Sequence, residues 1–119
     1  MKVLNVEKIQ NELKTFAEQR DWDQFHSVKN LTMALSVETS ELVEIFQWMK
    51  EEDSNSAHTD PKIKQRAAEE IADVFVYLLR IAKKLNIDLE EATWDKMRKN
   101  EEKYPIDKAR GQSKKYDEL

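Results

Sequence analysis

One glycine in 119 residues is the feature that most constrains this chain. At the usual ~7% a chain of this length would carry about eight. Glycine supplies the left-handed backbone of tight turns and lets the main chain approach a phosphate closely. Gly111 stands alone near the C-terminus. A Walker loop and a dinucleotide fingerprint each need several glycines at fixed spacing, so nucleotide handling by a glycine-rich cradle is excluded. Any phosphate chemistry must use another device.

The same scarcity weakens the case for hairpins, and the hydrophobic periodicity is helical throughout. Leu4, Ile9, Leu13, Phe16 and Ala17 recur at helical spacing behind Asn5, which predicts a first helix over residues 6 to 19. Asp21-Trp22-Asp23-Gln24-Phe25-His26 breaks that pattern. Ser27 is a cap for a second helix running to about Lys50, with Leu31, Leu35, Leu42, Ile45, Phe46 and Met49 along one face. Polar residues 51 to 59 read as a loop. Asp60-Pro61 opens the longest helix, to about Lys84, with the stripe Ile63, Ala67, Ile71, Val74, Leu78, Ile81 and Leu85. Asp88 and Glu91 form a capping box for a fourth, roughly 89 to 102, carrying Leu89, Ala92 and Met97 before Pro105. Residues 105 to 119 read as extended or irregular. The expectation is a single all-α domain over 1–119, built as a four-helix bundle.

The two central helices carry acids on the wrong side. With Leu31 as zero and ~100° per residue, Glu38 falls at about 340°, inside the apolar stripe, and Glu41 at about 280°. With Ile63 as zero, Glu70 falls at about 340° and Asp73 at about 280°. Each helix thus places an acid seven residues after its leading apolar residue, and another three residues later. Glu44 and Glu69 fall outside the stripes. Buried carboxylates without cationic partners cost several kcal/mol, so four converging between packed helices call for a compensating charge. Two readings stay open on the pattern alone: a hard divalent cation, magnesium or manganese, held by oxygen ligands, or acids kept for structure. A di-iron bundle needs Glu-x-x-His motifs. The two histidines, His26 and His58, provide none.

Other classes fall away on composition. No cysteine means no disulfide, thiolate zinc site, iron–sulfur cluster or cysteine nucleophile. A net charge of -4 gives no support for a nucleic-acid surface, and a small anionic ligand would need a metal or a local basic cluster. No apolar run approaches the ~20 residues of a membrane span, and Met1-Lys2-Val3 starts no signal pattern. A soluble cytoplasmic protein with neither nucleic-acid nor membrane partners is expected.

Glu38-Thr39-Ser40-Glu41, 28 intervening residues, then Glu70-Ile71-Ala72-Asp73 resembles the ExxE…ExxD signature of the all-α nucleoside triphosphate pyrophosphohydrolases of the MazG-like superfamily. The stretches Arg20-Asp21-Trp22-Asp23-Gln24-Phe25-His26, Glu44-Ile45-Phe46-Gln47-Trp48, Asp73-Val74-Phe75-Val76-Tyr77-Leu78 and Lys103-Tyr104-Pro105, with the tail around Lys115-Tyr116, resemble its dCTP pyrophosphatase-like branch. The resemblance implies hydrolysis of dCTP or a modified dCTP between the α and β phosphates, with Mg²⁺ (or Mn²⁺) on Glu38, Glu41, Glu70 and Asp73 as metal ligands and catalytic residues. One of these acids, Glu38 or Glu41, would serve as general base. It further implies nucleoside contacts from Trp22, His26, Trp48 and Tyr77, and substrate contacts from Lys96, Asn100, Lys103 and Tyr104. Lys96, Asn100 and Lys103 share a helix face. Phe25 reads as core packing beside the aromatic group. Trp48, at about 260°, and Tyr77, at about 320°, project to the same side of their helices as the acids. Members of the superfamily assemble as dimers or dimers of dimers, which implies a homodimer or homotetramer here.

Lys29, in Val28-Lys29-Asn30, departs from the branch's Pro-Arg-Asn and gives up an arginine's bidentate fork. Two alternatives complete the set. One is the same cleavage on dUTP or a phosphoribosyl nucleotide. The other is a non-catalytic helical binding or regulatory bundle.

Overall fold

Four side chains start the four main helices, each by accepting a hydrogen bond from an otherwise unpartnered backbone N–H. In the computed structural model, which describes residues 2–119, Asn5 caps α1 (Val6–Gln19) through the N–H of Lys8, and Ser27 caps α2 (Val28–Phe46) through that of Asn30. Glu51–Asn55 forms a short α3. Asp60, followed by Pro61, caps α4 (Pro61–Lys84), and Asp88 caps α5 (Leu89–Lys103) through the N–H of Glu91. Ile106–Ala109 is a short α6. Single 3₁₀ turns cover Asp23–Phe25, Ala57–Thr59 and Tyr116–Glu118. No strand occurs among the described residues, so the fold is all-α. None of their helices is long and apolar enough to cross a membrane.

Two boundaries differ from the sequence expectation. The second helix ends at Phe46 rather than about Lys50, and the expected loop 51 to 59 holds α3. Lys50 is extended, and Glu51, Glu52 and Asp53 favour the positive end of a new helix over the tail of the old one. Within the tail, Pro105 and Ile106 start a further turn of helix where irregular chain was expected.

With glycine all but absent, two other residues make the left-handed stops. Asp21 (φ 54°) follows α1, with Trp22 N–H donating to the Ala17 carbonyl at 2.9 Å and Asp21 N–H to that of Glu18 at 3.1 Å. This double bond pattern is a Schellman stop, and Asp and Asn bear the conformation best among non-glycine residues. Asn86 (φ 55°) makes the left-handed stop after α4, with its N–H donating to the Lys83 carbonyl at 3.2 Å.

The chain divides into two compact units, Met1–Asn86 and Ile87–Leu119. In the first, α2 lies along α4, and α1 packs on α4 as well. Leu31 and Leu79 are fully buried between these helices, joined by Ala17, Ile45 and Ala82. On α4 the covered arc is rotated from the expected stripe. Ile71, Leu78 and Leu85 are exposed, while Arg80 is buried and Glu70 and Tyr77 are half-buried. Two helices share α4, so the arc they cover takes in polar positions that a single-stripe reading puts outside. The second unit comprises α5 and α6 with the last turn, where Tyr104 packs edge-on to Tyr116 and Lys103 lies over the Tyr116 ring. Met97, expected on an apolar face, is exposed there.

Candidate functional site

The facing surfaces of α2 and α4 bring three carboxylates together. Glu38 and Glu41, one helical turn apart on α2, meet Glu70 of α4, and one oxygen from each lies within 4.8 Å of the others. Thr39 and Ser40, between the two glutamates, turn their hydroxyls back to the carbonyls of Leu35 and Ser36, at 2.8 and 2.9 Å, and so stay out of the cluster. Asp73 falls outside this trio and is exposed. Its charge still reaches Glu38 and Tyr77. Asp73 also lines a groove of about 1050 Å³ between α1 and α4, with Leu4, Leu13, Phe16 and Val76 along its walls.

The electrostatics of the trio are unfavourable as they stand. Among the described residues none of the four acids has an ion-pair partner, and Glu38 Oε2 and Glu70 Oε2 are buried with no hydrogen bond. Burial first, then the hydrogen bond and charge of Glu41, pushes the Glu38 carboxyl up to about 7, with Asp73 and Glu70 adding to the effect. The same burial and the Glu41 neighbour raise Glu70. Tyr77, half-buried one turn beyond Asp73, is raised by burial and by the charges of Glu38 and Asp73. Carboxylate oxygens converging from three side chains, with two oxygens orphaned, fit a hard divalent cation, the group that satisfies several oxygens at once.

A second cluster sits further along α4. The 3₁₀ turn after α1 carries Asp23, whose Oδ1 accepts from Arg80 Nη2 and from Lys84 Nζ, both at 3.3 Å. Arg80 Nη2 also lies 3.4 Å from His26 Nδ1. The His26 ring packs edge-on to Trp22 (6.3 Å between centroids), and Trp22 in turn to Phe16 (5.7 Å). Sequence reasoning passed over Arg80. The helical projection from Ile63 would have found it, because Arg80 falls at about 260° and Lys84 at about 300°, on the side of Asp73 and Tyr77.

The remaining expected residues distribute unevenly. Trp48 is in the turn that follows α2, 90% exposed, and is not stacked above the acids from within a helix. Its position follows from the early end of α2, set by the acidic start of α3. Phe25 is 60% exposed rather than packed in the core. Lys96, Asn100 and Lys103 are on α5 and Tyr104 at its end, all in the second unit.

Comparison with known proteins follows the same residues. Over 104 residues, 87% of this chain, it is 40% identical to dCTP pyrophosphatase 1 of Homo sapiens and 39% identical to that of Mus musculus. The aligned chain spans 61% of the length of these curated relatives. A crystal structure of a pyrophosphatase from Archaeoglobus fulgidus superposes with a TM-score of 0.78 at 38% identity, covering 88% of this chain and 96% of that one. The MazG-like family model matches residues 33–119, a span that starts within α2 just before the first glutamate pair and takes in both acid motifs. By that match the chain belongs to the MazG-like family.

Proposed function

We propose that this protein is a magnesium-dependent nucleoside triphosphate pyrophosphohydrolase that cleaves dCTP or a modified dCTP between the α and β phosphates, releasing the monophosphate and pyrophosphate. The observation that carries the reading is the trio Glu38, Glu41 and Glu70, unpaired and partly buried, with two orphaned oxygens. The relatives named for dCTP pyrophosphatase activity support the substrate class.

Glu38, Glu41 and Glu70, with Asp73 one turn beyond Glu70, would hold Mg²⁺ or Mn²⁺. A bound divalent ion supplies charge neutralisation for the triphosphate and acidifies an attacking water. The chain's own residues do the rest. The rigid α2–α4 pair fixes the spacing of the acids, and the back-bonded Thr39 and Ser40 leave the cluster free of competing donors. Glu38 or Glu41 would accept the proton of the attacking water through an oxygen that the metal leaves free. Trp22, His26 and Tyr77 would contact the nucleoside, and Trp48 would join them by stacking. Lys96, Asn100, Lys103 and Tyr104 would supply further substrate contacts. Exposed Met33, Val37, Val43 and Ile71 support assembly as a homodimer or homotetramer.

The test is a panel of common NTPs and dNTPs with Mg²⁺, reading monophosphate and pyrophosphate separately. Turnover of dCTP to these two products is the expected result. Orthophosphate release, or no turnover of any nucleotide, overturns the reading. Turnover of dUTP instead keeps the chemistry and changes the base.

A further inference from the structure

Arg80 is an unusual residue to bury within a 24-residue helix. Its side chain is 8% exposed, and among the described residues its Nε has no partner while Nη2 makes its two polar contacts, to Asp23 Oδ1 and His26 Nδ1. Both partners lie more than fifty residues earlier in the chain. Arg80 therefore pins the turn after α1 against α4. Other bonds fix that turn locally: Gln24 Nε2 donates to the Asp21 carbonyl and carboxylate, and Asn30 Nδ2 to the Phe25 carbonyl. None of these reaches the His26 ring.

The contact to His26 has a chemical consequence. A guanidinium carries donors only and keeps its charge at any pH the protein tolerates. A bond from Arg80 Nη2 to His26 Nδ1 therefore requires an unprotonated Nδ1, and the ring's one proton must sit on Nε2. We propose that Arg80 is a positioning residue that locks His26 as the neutral Nε2–H tautomer, so that the Trp22–His26 edge offers a hydrogen-bond donor to an acceptor atom of the nucleoside. The proposal rests on the pyrophosphohydrolase reading for its ligand, and on the Arg80–His26 geometry for the tautomer. The charged groups around the ring fit this role. Burial and the cations Arg80 and Lys84 on α4 oppose protonation of His26, and only Asp23, already engaged by both cations, favours it.

The experiment uses the full chain labelled with ¹⁵N, reading imidazole nitrogen shifts and their pH dependence, with free histidine as the reference. In the wild type His26 should show a protonated Nε2 and a pyridine-like Nδ1 from pH 6 to 8. Arg80→Met should return His26 to an average and raise its pKa, and Arg80→Lys should retain part of the signature. With the substrate found in the nucleotide panel, Arg80→Met should raise KM about five- to tenfold, the cost of one misplaced hydrogen bond, and change kcat less than twofold. In a His26→Ala background the same substitution should leave KM unchanged, because Arg80 acts through the ring. A wild-type His26 protonated on Nδ1 overturns the proposal without any variant, so a poorly folding Arg80→Met does not shelter it. An equal KM penalty in the His26→Ala background reduces Arg80 to a structural residue. A locked tautomer in a protein that turns over no nucleotide overturns the functional reading and removes the nucleoside as ligand, while the positioning of His26 by Arg80 stands.

Discussion

The two charged ends of one strip on α4 are built alike and finished differently. Glu70 and Asp73 open the strip, Tyr77 follows, and Arg80 and Lys84 close it, all on one side of the helix. At the basic end the charges are matched within the chain: Asp23 engages both cations and is held below the usual carboxylate range, chiefly by Lys84 and then Arg80. At the acidic end nothing of opposite sign arrives from the described residues, and two carboxylate oxygens stay buried without a partner among them. Burial alone therefore does not mark a candidate metal ligand. Arg80 is more deeply buried than any of the four acids, yet its charge is answered, whereas the charge of the acids is not answered among the described residues.

The largest effect that would break this contrast is on turnover. Glu38→Gln and Asp73→Asn are each expected to lower pyrophosphate release on the order of a thousandfold, with the helical circular dichroism retained. Full activity in either variant would make the acids structural and the two ends equivalent.

Next in size is the response to added Mg²⁺. Mg²⁺ at about a hundred times its dissociation constant should stabilise the wild type by about 2.7 kcal/mol in a thermal melt. Glu70→Gln should lose most of that gain. Arg80→Met, which leaves the acids intact, should keep it.

A smaller effect separates the ends by sign. Without metal, Glu38→Gln should melt at the same temperature as the wild type or a few degrees higher, because it removes an uncompensated buried charge. Arg80→Met should melt a few degrees lower, because it strips Asp23 of one cation and loosens the turn after α1.

The smallest effect is the pH dependence of these differences. Glu38 holds its proton more tightly in the folded state, so its favourable term is fully present below the ordinary value of 4.5 and is lost as pH rises through about 7. The metal-free melting difference between Glu38→Gln and wild type should thus grow from pH 4.5 to 7. Asp23 titrates in the other direction. Its folded value lies below 3.8, so its stabilisation is present above 3.8 and disappears as pH falls through the lower value. The loss caused by Asp23→Asn should therefore vanish in acid.

Much of this arrangement is written in local sequence. Asn5, Ser27, Asp60-Pro61 and Asp88 each announce a helix start by short-range chemistry, and each caps as expected. Glu38 and Glu70 are legible because a polar residue inside an apolar stripe contradicts the period around it, and Glu41 because it follows Glu38 by one helical turn. The misses have non-local causes. The helix-wheel position of Trp48 goes astray because the end of α2 is decided by competition with the acidic start of α3, which a single-helix wheel does not contain. Ile71, Leu78 and Leu85 fall to the core in a reading that assumes one stripe where two helices share α4. Arg80 is passed over because a lone arginine on a charged helix reads as solvated. Its partners lie in a turn that only the folded chain brings to it.

The strip on α4 also sets what kinds of change the chain can accept. Glu70 and Arg80 are ten residues apart on one uninterrupted helix, about 15 Å along its axis. A residue inserted between them would turn one end about 100° against the other, and Arg80 would leave His26 while the acids kept their place. Seven inserted residues would nearly restore the direction, but would separate the ends by a further ~10 Å. The stretch of α4 between Glu70 and Arg80 can therefore change by substitution but not by length without parting the two ends.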